Sequence, residues 1–351
     1  MFTADETQAT TNTVTVPAES TLPAAVKIDR TLRLPTMIFC SALQPANGRL
    51  FCGGADFAVY AVETTAEKPE ATQLSMTRHE SYVSGMVCTT EALISGSYDG
   101  SLIWWDTAAG SVIRQVTAAH ERWIRRLALS PDGKKLASVA DDMLTRIRDA
   151  QTGELLLSLA DHEKKTPNGY PSMLYAVAWS PDNTRIATGD KTGRVLIRSA
   201  LDGTIVKMLE TPVMYTWDPR QRQHSIGGIR SLAFSPDGNL LAVGGMGKVN
   251  NIDHLEGPSR IEVFRLETGE RILEIEDQKL KGLVERLQFS PDSRWLLAAG
   301  GDHGGFMSAW NVTDGKLLAQ EKLPVHVHDF AMTRADHVIA VGHDQAVFVK
   351  V

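Results

Sequence analysis

Four stretches of the chain repeat one another: "LALSPDGKKLASVADD" from Leu127, "VAWSPDNTRIATGDKTG" from Val177, "LAFSPDGNLLAVGG" from Leu232 and "LQFSPDSRWLLAAGGD" from Leu287. Their Ser-Pro-Asp elements begin at Ser130, Ser180, Ser235 and Ser290, so the steps are 50, 55 and 55 residues. Self-similarity at such a period restricts the fold to a propeller or a solenoid. Each unit follows one physical logic. A short apolar alternation such as "RSLAFS" reads as a strand, and Pro-Asp-Gly then makes a tight turn, because proline presets φ while Asp and Gly tolerate the remaining angles. Three further runs, "NLLAVGG", "RIEVFRLE" and "RILEIED", complete an antiparallel meander. One such sheet alone leaves its apolar faces wet, whereas a ring of sheets hides them.

Weaker copies at 44–63, 86–116 and 330–351 bring the number to seven. The last stops after its third strand, and "AAVKIDRTLRL" (24–34) precedes the first copy as a spare strand. Placing it beside the last copy closes the ring without an open seam. The expected fold is all-β: a single seven-bladed β-propeller of four-stranded antiparallel blades, with the N-terminal strand in the last blade. It spans 24–351, with blades near 36–77, 79–118, 120–160, 170–210, 225–277, 281–321 and 326–351 plus the closing strand. The threonine-rich segment 1–23 has no Lys or Arg and no apolar core, so neither a signal nor a transit peptide is read there. A disordered tail on a soluble cytoplasmic protein is expected, with no membrane span. The net charge of −6 counts against a nucleic-acid partner. Cys40, Cys52 and Cys88 are too few for a disulfide framework; Cys40 and Cys52 fall on neighbouring strands and could face each other.

Copy two, "SGSYDGSLIWWD", ends in the dipeptide Trp105-Asp106. The chain resembles the WD-repeat family of β-propellers over residues 24–351. In that family His, Ser or Thr, Asp and Trp of one repeat form a buried hydrogen-bonded relay. The resemblance implies this role for His79, Ser95, Asp99 and Trp105, and for His120, Ser138 and Asp142 in copy three, where Arg148 replaces Trp. Copy four has Tyr170 near the His position, with Thr188 and Arg198; copy six keeps Asp302 and Trp310. Hydrolase triads use the same residue types, but a set that recurs with the repeat reads as a structural network. No catalytic residue, metal ligand or cofactor is assigned.

Successive turns of a meander alternate between the two ends of the sheet. With strands lettered a to d from the inside, the b–c turns and d-to-a links share one face. The insertions 161–173, 211–224 and 245–259 and the short "GGDHGG" (300–305) all fall there. Rigid scaffolds carry function on such loops, and Tyr, Trp, Arg and Met are favoured interface anchors. Tyr170, Met214, Tyr215, Trp217, Arg220, Arg222 and His254 form the expected partner-binding set. The same face gathers His162, His224, His254 and His303 with Asp253 and Asp302, in no tight ligand spacing. His326 and His328 share one strand face at the start of copy seven and are read as structural. "GGMGKVNN" (244–251) lacks the spacing of a phosphate loop. In "ERWIRRLAL" (121–129), Arg125 is placed to line the central channel and Arg126 to point elsewhere, a basic patch for acidic peptides or nucleic acid. The reading is a non-catalytic scaffold, a monomeric propeller within a larger assembly, that docks a protein or peptide with little backbone movement. The alternative is an enzyme or a small-ligand or metal binder using loops at the channel mouth.

Overall fold

The computed structural model describes residues 22–44, 46–218, 220, 223–334 and 336–351; most of the segment expected to be a tail (1–21) lies outside them, as does Arg222. Seven four-stranded antiparallel sheets make a β-propeller. Their strands span 38–73, 83–116, 124–159, 174–210, 231–281, 283–323 and, for the seventh, 327–350 together with Lys27–Arg33. Beyond the blades, the described elements are a three-residue 3-10 turn at Pro212–Met214 and a hairpin of Tyr215–Asp218 with His224–Gly227. No helix among the described residues is long and apolar enough to cross a membrane.

The a–b turns show why the repeat carries its signature. Ser130 Oγ donates to Asp132 (2.6 Å) and accepts from the Lys135 amide (2.9 Å); Ser180, Ser235 and Ser290 bond to Asp182, Asp237 and Asp292 in the same way. The third turn residue then takes a left-handed φ, between 61° and 73°, which Gly133, Asn183, Gly238 and Ser293 supply. The core lies between blades. Trp104, 1% exposed, packs on Leu136 and Ala150 of blade 3 and donates its indole N–H to the Ala150 carbonyl (2.7 Å).

Ring closure joins the two ends of the chain. Strand Lys27–Arg33 pairs antiparallel with Gln345–Lys350, from Lys27↔Lys350 to Arg33↔Gln345. Val26 and Leu34 at its ends are buried in the cores toward blades 6 and 1. Arg30 stacks on Phe348, 4.3 Å from its ring centroid, and donates to the Thr64 carbonyl in blade 1 (2.9 Å).

The innermost strands of blades 1, 2, 3, 4, 6 and 7 carry a bulge near their start. In blade 3, Ile124 pairs with Ala140 but Arg126 with Val139, which leaves Arg125 as the extra residue. Simple alternation therefore fails: Arg125 lines the channel mouth as expected, but Arg126 does not point elsewhere. Arg126 is the one that crosses the channel: it donates to the Glu285 carbonyl of blade 6 (2.9 Å) and pairs with Asp329 of blade 7 (3.6 Å). Asp329 also meets Arg286 (3.3 Å) and accepts from the Ser41 amide of blade 1 (3.0 Å). One carboxylate thus ties blades 1, 3, 6 and 7. The cysteines need a second correction. Cys40 pairs with Gly53 and Cys52 with Ser41, so their side chains leave opposite faces, Cys40 toward blade 2 and Cys52 toward blade 7.

Two predictions follow from these contacts. Asp329→Ala should destabilise by about 3–5 kcal/mol, the usual cost of stripping a buried ion pair of one partner. Asp329→Asn, which keeps an acceptor for Ser41, should cost less in urea denaturation. Deleting 24–34 should abolish a cooperative melt, because it bares the edge of Gln345–Lys350, whereas deleting 1–20 should leave the melt unchanged.

Candidate functional site at the channel mouth

The face of b–c turns and d-to-a links is fixed by three relays. In blade 2, His79 Nε2 lies 2.8 Å from Ser95 Oγ, Trp105 donates to the same Oγ (2.8 Å), and His79 Nδ1 lies 3.2 Å from Asp99. In blade 3, His120 bridges Ser138 (2.8 Å) and Asp142 (3.0 Å). Each histidine stands on a d-to-a link and each aspartate at a b–c turn, so the relay clasps the two loops that share this face. Burial works against the charged carboxylates, but hydrogen bonds from the histidines and from backbone amides outweigh it and hold Asp99 and Asp142 below the usual range. Burial lowers His120 despite Asp142 beside it.

The relay of blade 4 is completed by His162, bonded to Thr188 (2.8 Å) and Asp190 (2.9 Å). Tyr170, the residue expected near that position, sits in the loop beyond. Arg198 holds Asp161 (2.5 Å) and the Gly203 carbonyl in place of an indole contact. In blade 6 the position of Ser95 is Ala298, so Trp310 donates to Ser308 of its own strand (2.8 Å), and Asp302 pairs with the adjacent His303 (2.8 Å). Cys52, Val243 and Ala340 occupy that register position in blades 1, 5 and 7, where no hydroxyl is available for a relay.

The bulge builds the mouth. The extra residues of the inner strands are Phe39, Ser84, Arg125, Tyr175, Glu285 and His328, and Arg230 holds the matching place in blade 5. All seven line one cavity of about 230 Å³ on the channel axis, with Tyr98 and Arg126. Its chemistry is uneven. Across blades 3 to 5, Tyr175 lies between two guanidiniums, with Arg230 3.6 Å and Arg125 5.4 Å from its ring centroid. Arg125 is held by Asp141 through two bonds (2.8 and 2.7 Å) and by the Tyr98 hydroxyl (2.7 Å). Arg230 and Lys191 have no carboxylate within ion-pair distance among the described residues, and Arg230 Nε is buried without a partner. Burial first, then Arg230 and Arg125, pull the Lys191 pKa down.

An aromatic row borders the basic sector. Tyr82 lies 5.4 Å from Phe39, 5.9 Å from Phe57 and 5.7 Å from Tyr98, and Tyr98 stacks on Trp123 at 4.6 Å with the rings 2° from parallel. Trp123 is 49% and Tyr82 41% exposed. Sequence reasoning missed this row because its members fall singly in short links and turns. Aligning the repeats on the residue two before Leu127, Val177, Leu232 and Leu287, and before Ser41, Met86 and Phe330 in the same register, would have found the ring of seven.

The insertions gather on the same face and hold one another. Tyr215 donates to Asn168 Oδ1 (3.0 Å), the Tyr170 hydroxyl reaches the Asp218 carbonyl (3.5 Å), and the Val249 amide donates to Thr216 Oγ1 (3.2 Å). Met246, Val249 and Leu283 form a small core beneath them with Ile226 and Leu255. Met214 is 1% exposed, packed against Ile229 and Leu232, and offers no surface to a partner; this corrects its place in the expected anchor set, because the loop turns it inward to fill the space beside Gly245. Tyr170 and Tyr215 are half-buried, whereas Trp217, Arg220 and His254 are exposed.

A profile described as "WD domain, G-beta repeat" matches residues 111–149, 159–205 and 217–249. WD repeat-containing protein 1 of Mus musculus is 37% identical over 78 residues, 22% of this chain and 12% of that one. Apoptotic protease-activating factor 1 of Rattus norvegicus is 28% identical over 153 residues, 44% of this chain and 11% of its own. A guanine nucleotide-binding protein subunit beta of Oryza sativa subsp. japonica is 24% identical over 225 residues, 61% and 56% of the two chains. The chain thus spans little more than half of even the best-covered of these relatives.

Acid sensitivity should report on the relays. The folded pKa of Asp142 lies below its unfolded value, so its contribution is present above about pH 4 and is lost as pH falls through the folded value. His120, lowered from about 6.5, also disfavours the fold on acidification, because the unfolded chain takes up that proton first. Asp142→Asn should therefore lower Tm at pH 7 and flatten the fall in Tm below about pH 4, as read by thermal melts from pH 3 to 7. Three relays, seven closed blades and the matched repeats lead to one conclusion: the chain is a seven-bladed β-propeller that carries repeats of the WD type.

Proposed function

We propose that the chain is a non-catalytic interaction scaffold that docks an acidic segment of a protein partner over the channel mouth. Propellers of this family serve in general as protein-interaction scaffolds. The observation that carries the finer reading is Arg230, which lines the cavity, together with Lys191, which feels its charge; neither has a carboxylate within ion-pair distance among the described residues. A carboxylate entering there would gain charge-assisted bonds in a partly desolvated site. Tyr82 and Trp123 beside it supply exposed aromatic area, which buries much surface at small entropic loss. Trp217, Arg220 and His254 on the insertions extend the docking surface outward over blades 4 and 5. The bidentate Arg125–Asp141 pair and the relays hold the rim in place before binding, so little of the binding energy goes into ordering it.

Affinity purification from the native cells, read by mass spectrometry, tests this. A partner recovered with the wild type should be lost with Trp123→Ala/Arg230→Glu and kept with Lys134→Glu, an exposed change at an a–b turn on the opposite face. Retention by the first variant and loss with the second, both folded by circular dichroism, would place docking on the other face.

A further inference from the structure

Of the four histidines of blade 7, none of which serves a relay, three meet at the channel mouth and His337 lies apart, bonded to Asp336. His326 ends the d-to-a link, His328 is the bulged residue of the inner strand, and His343 opens the b–c turn. The bulge brings the rings of His326 and His328 to 4.4 Å between centroids, and His343 lies 5.9 and 5.8 Å from them. One ring nitrogen of each falls within 4.8 Å of the other two. The sequence reading gave His326 and His328 a structural role at the place where the family carries its relay histidine. Ala340 stands where the relay needs a hydroxyl, so that role has no acceptor here.

The Nε2 atoms of His326 and His328 are buried and have no hydrogen-bond partner. Buried polar atoms are nearly always satisfied, and three convergent imidazoles cannot satisfy one another well in so small a space. We propose that His326, His328 and His343 hold one divalent first-row transition-metal ion, zinc by preference. Three imidazole nitrogens are a familiar donor set for that ion and leave a fourth position free. Imidazole ligates in its neutral form, and burial disfavours the charged form of His326 and His328. Glu285 Oε1 lies 4.0 Å from His326 Nε2 and offsets part of the ion's charge. Arg126 acts in the opposite sense. The group Glu256, Asp302 and His303 on the same face differs: it is more exposed, and His303 Nδ1 is already engaged by Asp302 at 2.8 Å.

An ion here would join the link, the inner strand and the b–c turn of the blade that closes the ring. It would also sit beside the docking cavity, because His328 lines both. The inference does not depend on the docking reading, since its test uses no partner.

The full chain, stripped with a chelator and dialysed, is titrated with Zn²⁺ by calorimetry and with Co²⁺ by visible absorption. The expected result is one ion per chain with a Kd below about 1 μM, Co²⁺ bands of tetrahedral intensity, and a Tm that rises with Zn²⁺. His328→Ala and His343→Ala should each lose the bands and the Tm rise, and His303→Ala should keep both. If His328→Ala fails to fold, His343→Ala, at a partly exposed turn position, decides the matter. Absence of binding by the wild type, unchanged binding by His343→Ala, or binding lost only in His303→Ala overturns the proposal.

Discussion

Pairing of Lys27–Arg33 with Gln345–Lys350 is the contact on which the rest of the molecule depends. A propeller is a row of sheets whose flanks are buried only when the row meets itself. Here the last sheet borrows its outer strand from the other end of the chain, so the pairing that completes blade 7 also fixes the distance between the termini of the fold. Val26 and Leu34 anchor that strand on both sides. Inside the ring, Asp329 does for the inner wall what the closing strand does for the rim, since its one carboxylate meets groups from blades 1, 3 and 6.

A closed ring makes its two faces unequal in what they can vary. The a–b turns are held short by the Ser-Pro-Asp hydrogen bonds, in which one hydroxyl serves both the aspartate and the chain five residues on. The opposite face is clasped at three blades by relays that join link to turn without restricting what lies between. Length accumulates there. The bulge on the inner strands then turns one side chain per blade into the channel mouth, so seven unrelated residues become neighbours on a rigid frame. Two of them are arginines flanking a tyrosine, and this local basicity stands against a chain of net charge −6. A concave site with low-dielectric walls concentrates such a field, which under the proposed function would steer an acidic partner to the mouth.

Much of this was legible from residues alone. The Ser-Pro-Asp spacing gave the period, and a seventh copy missing one strand pointed to the spare strand before the first. What escaped reading was wherever period-2 alternation breaks. The bulge brings Arg125 and Arg126 to the same cavity, so the arginine expected to point elsewhere also reaches the channel and spans it. His162 escaped because eleven residues separate it from its strand, where His79 and His120 precede theirs by four. Met214 was read as an anchor by residue type, but loop residues of an insertion have their own small core to fill. Aromatic contact between single residues of different links, as between Tyr98 and Trp123, leaves no pattern along the chain.

The central claim is that partners meet the face of the relays, at the mouth. Photo-crosslinking tests it directly. A photoreactive residue is placed at Trp123 or Met173 on that face, or at Lys134 or Thr184 in the a–b turns, and the protein is irradiated in cell extract. The account predicts covalent adducts to a partner from positions 123 and 173, with none from 134 and 184. Adducts formed only from the a–b turns would contradict it and turn the molecule over.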